Sequence, residues 1–197
     1  DLERFKNIND SLGREAGDEL LRQVATWLTQ AMGDASLVAR LDADPGAAQP
    51  VDLAALLGNL QEDARLTAPQ QQLQIDLDPR ARLEGWPDML ERALDNLLRN
   101  ALRFSPADQP VLISVQSQGH SVTLSVRDHG PGVASEYLGQ LGKPFFRAPG
   151  QNGSGHGLGL AIARRAAQRH GGELLLNNHP EGGFIATLSL PAKQQAS

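Results

Sequence analysis

Three groups of residues in this chain could do chemistry together. Asn96 and Asn100 lie four residues apart in a helical pattern and share a face, with Arg99 and Arg103 beside them. An amide oxygen suits Mg²⁺, a hard cation that prefers oxygen ligands and usually shares them with phosphates. Asp128 ends an alternating strand pattern and leads into Gly130-Pro131-Gly132. A carboxylate accepts from an exocyclic amine such as the adenine N6 group, and glycine lets backbone approach a flat ring closely. Gly153, Gly155, Gly157 and Gly159 then lead into a helical run. Helix starts offer unpaired N–H groups and a partial positive charge, which suit phosphates. Each group alone has an ordinary structural reading: a solvated helix face, an Asp-x-Gly turn, a glycine-rich loop. The glycine run is not a dinucleotide fingerprint, because it follows a long loop, and it lacks the Gly-Lys-Ser/Thr ending of a P-loop. Taken together and in this order, the groups are the parts of a nucleotide site.

The elements that must position them can be read from periodicity. Residues 1–41 are charged and helical in pattern, with Leu20, Leu21, Val24, Ala25 and Leu28 at helical spacing. Residues 42–50 carry Pro45, Gly46 and Pro50 and read as a linker. From Val51 to the end, an α+β domain is expected. Leu53, Leu56, Leu57 and Leu60 predict a helix with Asp52 as its N-cap. Leu73, Ile75 and Leu77 alternate as a strand. The strongest helix spans 87–104, with Leu90, Ala93, Leu94, Leu97, Leu98, Ala101 and Leu102 on one face. Strands are expected at 111–115 and 122–126 around Gly119, then at about 173–176 and 184–190, after a helix over 158–170 that stops at Gly171-Gly172. Residues 129–156 form a long loop, and loops of that length inside a compact domain tend to be functional.

Composition narrows the function further. The net charge of −5 argues against a general nucleic-acid binder. Without cysteine, disulfides and thiolate metal sites are excluded. No apolar run approaches the roughly 20 residues of a membrane span. The chain starts at Asp1 without a signal-peptide pattern and reads as a piece of a longer protein.

Five blocks, taken jointly, resemble the ATP-binding catalytic domain of bacterial sensor histidine kinases, within the wider family that includes gyrase, Hsp90 and MutL. Residues 91–105 (Glu-Arg-Ala-Leu-Asp-Asn-Leu-Leu-Arg-Asn-Ala-Leu-Arg-Phe-Ser) resemble the N box. Asp128-His129-Gly130-Pro131-Gly132 is similar to the first glycine box, with His129 where Asn is more usual. Lys143-Pro144-Phe145-Phe146-Arg147 resembles the F box, residues 155–162 the second glycine box, and residues 182–188 the last strand. The likeness covers about residues 51–191. It implies the two-layer α/β sandwich of the Bergerat (GHKL) fold, here with an N-terminal helical extension. It further implies that Asn100 holds Mg²⁺ with Asn96 nearby, that Arg103 reaches phosphate and that Phe104 packs near the base. Asp128 would read adenine, Gly157 and Gly159 would admit the phosphates, and residues 133–156 would form a mobile lid. Gly130, Gly132, Lys143, Phe145, Arg147, Gly155, His156, Leu158 and Thr187 complete the implied ATP or ADP site. The implied setting is a two-component phosphorelay in the cytoplasm, the parent kinase being membrane-anchored, with a histidine-bearing dimerisation domain and a response regulator as partners.

Residues 1–41 resemble a different family, the GGDEF diguanylate cyclases, through residues 1–10, Gly13 and Gly17-Asp18. Asp1, Lys6, Asn9 and Asp18 match cyclase metal, phosphate and guanine positions. Arg14 stands where His is usual, and Asp42-Ala43-Asp44 replaces the Gly-Gly-Asp-Glu-Phe loop, so a structural role is expected there. None of His120, His129, His156, His170 and His179 lies in a phosphoacceptor context, and all five read as surface or lid residues. Residues 39–53 resemble the tail of a kinase dimerisation helix. The expectation is a chimera, by recombination or engineering, whose residue 14–31 helix pairs with a second copy. Two rivals are a nucleotide-dependent interaction module without kinase activity and a degenerate cyclase-type nucleotide sensor.

Overall fold

The computed structural model describes residues 46–149 and 157–192. The chain divides into two compact units, residues 1–40 and 41–197. The expectations for the N-terminal helix, its self-pairing and the cyclase positions fall outside the described residues.

Helix α1 (Leu53–Thr67) starts where Asp52 caps it, the carboxylate accepting the Ala55 N–H at 3.0 Å. It buries Leu53, Leu56, Leu57, Leu60 and Ala64. Helix α2 (Pro87–Phe104) has Pro87 at its first turn and Asp88 and Arg103 matched to its dipole. It ends at Ser105, held extended (ψ 135°) before Pro106. Its apolar stripe, with Leu90, Ala93 and Leu94 fully buried, is the centre of the core. Each such leucine contributes about 1.5–3 kcal/mol by leaving water. Helix α4 (Gly159–Arg169) buries Ala161, Ile162, Ala163, Ala166 and Ala167. That small-residue face brings it close against α2. A single turn, α3 (Ser135–Leu138), interrupts the long loop.

Strands β2 (Leu73–Leu77), β4 (Val111–Gln118), β5 (Ser121–Arg127), β6 (Glu173–Asn178) and β7 (Phe184–Pro191) form one sheet in the order β2-β4-β5-β7-β6. Only the β2–β4 pair is parallel. Val111, Ile113, Val115, Val122, Leu124, Val126, Ala186, Leu188 and Leu190 alternate onto the buried face under the helices. The other face carries a hydroxyl row, Ser114, Ser125 and Thr187, in register across β4, β5 and β7. This is a two-layer sandwich. At the end of β2, Asp78 accepts from the Arg80 side chain and backbone and from the Ser117 N–H. The Arg80 guanidinium holds the Asp78 carboxyl down at about 2.

The entry to the domain differs from the expected linker. Residues Gln49–Pro50 (β1) pair with Glu84–Gly85 (β3), and the Trp86 indole N–H donates to the Gly46 carbonyl at 2.9 Å. His170 also departs from its surface reading. Its Nε2 accepts the Trp86 backbone N–H at 3.0 Å, its Nδ1 donates to the Ala166 carbonyl at 2.7 Å, and its ring meets Trp86 edge-on. Gly85 makes room for it, since a Cβ there would stand 2.4 Å from the ring. Burial pushes the His170 pKa down. Among the described residues no helix is long and apolar enough to cross a membrane.

Candidate nucleotide site

Asp128 follows β5 with the parity of Val122, Leu124 and Val126, so it projects onto the helix-covered side. It is only 2% exposed. Its Oδ1 accepts two backbone N–H groups, from Gly130 at 2.8 Å and Phe184 at 3.1 Å. No hydrogen bond among the described residues engages Oδ2. Burial pushes this carboxyl up, against the downward pull of the two N–H bonds. The surroundings fix it in place. Gly183 (φ 89°) lies so close that a Cβ would stand 1.9 Å from the Asp128 carbonyl oxygen, and one on Gly130 would stand 2.6 Å from the Phe104 carbonyl oxygen. The His129 N–H donates to Ser105 Oγ at 3.2 Å and its Nδ1 meets the Pro110 carbonyl at 2.9 Å. His129 therefore ties the first glycine turn to the end of α2. It is an anchored residue, where the sequence suggested a surface or lid one.

On α2, the Asn96 side-chain N–H donates to the Arg92 carbonyl at 2.8 Å, which leaves its oxygen to face the start of α4. A Cβ on Gly159 would stand 3.1 Å from that oxygen. One turn on, the Asn100 amide is half-buried, and no hydrogen bond among the described residues claims it. The Arg103 guanidinium lies 5.1 Å from the centre of the half-buried Phe104 ring. Partial burial and the nearby Arg147 cation both lower the Arg103 pKa. Among the described residues, no three His, Cys, Asp or Glu side chains cluster for a metal. The donor set left for Mg²⁺ is the Asn100 amide oxygen, supplemented by phosphate oxygens, and that hard-oxygen chemistry fits the ion.

The α4 start has no side-chain cap. Leu158 is buried beneath it, and Gly157 (φ 69°) sits so tightly that a Cβ would be 2.7 Å from the Phe146 carbonyl oxygen. The Phe145 N–H donates to the Gly157 carbonyl at 3.1 Å, so the F-box segment closes onto the second glycine box. Phe145 itself takes φ 64°, a strained conformation for an aromatic residue, and is 63% exposed. Lys143 and Arg147 are exposed on the same segment. Gly155 and His156 fall outside the described residues. Thr187 does not join the site. It lies opposite Ser125 on the far face of the sheet, with parity opposite to Ala186 and Leu188. Ser105 and Gly183, quoted within the sequence blocks but given no role there, and Asn178, outside every block, support the turns around Asp128. Gly132 (φ 70°) packs on Asn178, whose Oδ1 would meet a Cβ there at 2.7 Å.

A buried carboxylate at a strand end on the helix-covered side of the sheet, an amide-bearing helix and a glycine-lined helix start packed against that helix are the parts of a nucleotide-binding domain. Residues 85–194, more than half of the chain, match the family described as Histidine kinase-, DNA gyrase B-, and HSP90-like ATPase, and the chain belongs to that family. Residues 1–48 match the family described as Diguanylate cyclase, GGDEF domain. The chain is 41% identical over 126 residues to the sensor protein QseC of Salmonella typhimurium, covering 61% of this chain and 27% of QseC. It thus spans about a quarter of the length of the curated relatives it matches. The mycobacterial sensor histidine kinase MprB superposes with a TM-score of 0.69 at 26% identity, covering 75% of this chain and 100% of that one. Full-length ShkA in complex with AMPPNP gives 0.71 at 27% identity over 95% of this chain and 39% of that one. The chain carries an ATP-binding domain of the sensor-histidine-kinase type.

Proposed function

We propose that the domain spanning residues 51–197 binds Mg·ATP and presents its γ-phosphate to a histidine on a dimerisation domain outside this chain. The observation that carries the reading is Asp128: a carboxylate with one oxygen held by two N–H groups and the other unclaimed is an acceptor set for an adenine amine. Guanine would offer its O6 acceptor there instead. Asn100, with Asn96 beside it, holds Mg²⁺, which neutralises phosphate charge when bound. Arg103, with Arg147 and Lys143 from the lid segment, receives the phosphates. Gly157, Leu158 and Gly159, joined by Gly155 and His156, offer backbone N–H groups at the α4 start, and Phe104, Phe145, Gly130 and Gly132 frame the base and its turn. AMPPNP in the ShkA complex supports an adenine nucleotide as the ligand.

In the transfer, the bond between γ-phosphorus and the β,γ-bridging oxygen breaks as an acceptor imidazole nitrogen bonds to phosphorus, leaving ADP. Because such a transfer rests on positioning and charge stabilisation, the acceptor must be held in line with the phosphate. The parent kinase works at the cytoplasmic side of a membrane and hands its phosphoryl group to a response regulator. Residues 1–41 serve as a structural, self-pairing element. The test is to add the histidine-bearing dimerisation domain of the QseC relative to this chain with γ-labelled ATP. Label on the added histidine supports the reading. Label on this chain alone contradicts it.

A further inference from the structure

Two side chains outside every motif hold the segment that follows the first glycine box. Asn178, at the end of β6, uses its amide as a substitute strand partner: Oδ1 accepts the Val133 N–H at 2.8 Å and Nδ2 donates to the Val133 carbonyl at 2.7 Å. Farther along, Arg164 on α4 donates through Nη2 to the Leu141 carbonyl at 2.8 Å. Gly142 (φ 76°) lies against the guanidinium, and a Cβ there would stand 2.9 Å from Arg164 Cζ. Leu141 is 5% exposed, so that carbonyl sits over a buried side chain. The Phe145–Gly157 bond is a third tie in the same segment.

The placement of the ties matters. Asn178 holds the segment next to Gly130-Pro131-Gly132, beside the adenine carboxylate. Arg164 holds it to the same helix whose start, five residues earlier, is Gly159. One staple belongs to the base side and the other to the phosphate side. We propose that Arg164 and Asn178 are positioning residues that keep residues 133–149 seated along the site and set how fast a bound nucleotide leaves. The proposal rests on the ATP-site reading above. Lifting the segment must break a charge-assisted hydrogen bond at Leu141 and a paired amide contact at Val133, and because these ties hold in the free chain as well, entry and release pass through the same lifted state.

The experiment measures release of a fluorescent ADP analogue with Mg²⁺ from the full chain by stopped-flow chase with unlabelled ADP. Losing a part-buried charged hydrogen bond makes Arg164→Gln release about tenfold faster. The more exposed Asn178→Ala releases about threefold faster, and in both variants association speeds up by a similar factor. Arg164→Lys, which can still donate to Leu141, recovers part of the loss. Gly142→Ala acts on the same contact, so its double variant with Arg164→Gln is no faster than the faster single. Amide hydrogen exchange without nucleotide rises at Val133 in Asn178→Ala and at residues 141–146 in Arg164→Gln, while each variant still unfolds in one cooperative transition. Unchanged release in both variants, or slowed association in place of faster release, overturns the staple proposal alone. Failure of the parent chain to bind the analogue overturns the ATP-site reading and the proposal with it.

Discussion

Replacing Asp128 with Asn separates the cost of that carboxylate from its use. Asn keeps an oxygen for the Gly130 and Phe184 N–H groups but puts an NH₂ where the second carboxylate oxygen stood. Toward an adenine amine, an acceptor has become a donor. Losing a hydrogen bond to a charged group costs about 1.5–3 kcal/mol, so ATP binding should weaken about tenfold to a hundredfold. Guanine O6 gains a donor, so the preference for ATP over GTP should collapse. Stability should move the other way. Burial raises the folded-state pKa of Asp128 above its ordinary 3.8, so between these values the folded state binds more protons than the unfolded one. Stability therefore falls as pH rises through that window, and the cost of the buried charge is complete once the pH exceeds the folded-state value. Asp128→Asn should be the more stable protein at pH 7, and its advantage should vanish below pH 3.8. Calorimetric titration with Mg·ATP and Mg·GTP, and urea unfolding at both pH values, read the two effects. Parental ATP affinity in the variant, or a loss of stability at pH 7, would refute the reasoning.

Other perturbations follow from the same geometry. Asn100→Ala and Asn100→Asp should weaken Mg²⁺-dependent ATP binding while leaving the unfolding midpoint in place; unchanged affinity in both removes Asn100 from the metal. Gly183→Ala should destabilise the domain by about 1–3 kcal/mol, because its Cβ collides with the Asp128 carbonyl, and a neutral result in denaturant unfolding would contradict that packing. His170 has a folded pKa below its ordinary 6.5, so its contribution is complete above pH 6.5 and is lost as pH falls below it toward the folded value. His170→Phe should flatten that decline in urea midpoint, and an equally steep slope would assign it to other groups.

The blocks that mark the family were legible because local signals carried them. Strand alternation through Val122, Leu124 and Val126 led up to Asp128, and the structure shows that the same parity turns its carboxylate onto the buried face. The stripe on 87–104 likewise put Asn96 and Asn100 along one edge of a core helix. Thr187 was misplaced although the signal was present, since Ala186 and Leu188 already fixed the parity that turns it away. His170 could not be read, because its partner Trp86 lies 84 residues away and its burial exists only once α4 packs beside β3. Asn178 and Arg164 were equally silent, since one anchors a loop 45 residues distant and the other a carbonyl 23 residues back. The final strands ran longer than apolar alternation suggested: β6 (Glu173–Asn178) because pairing continues through polar Asn177 and Asn178, and β7 (Phe184–Pro191) because Pro191 still pairs with Ser121.

The central claim, that residues 85–194 form an Mg·ATP site, is tested most directly by titrating ATP into the full chain with Mg²⁺ and again with Mg²⁺ chelated. A single saturable site, tighter with the metal and competed by ADP but not by GTP, is the expected result. No saturable binding in either arm, or equal competition by GTP, would contradict it.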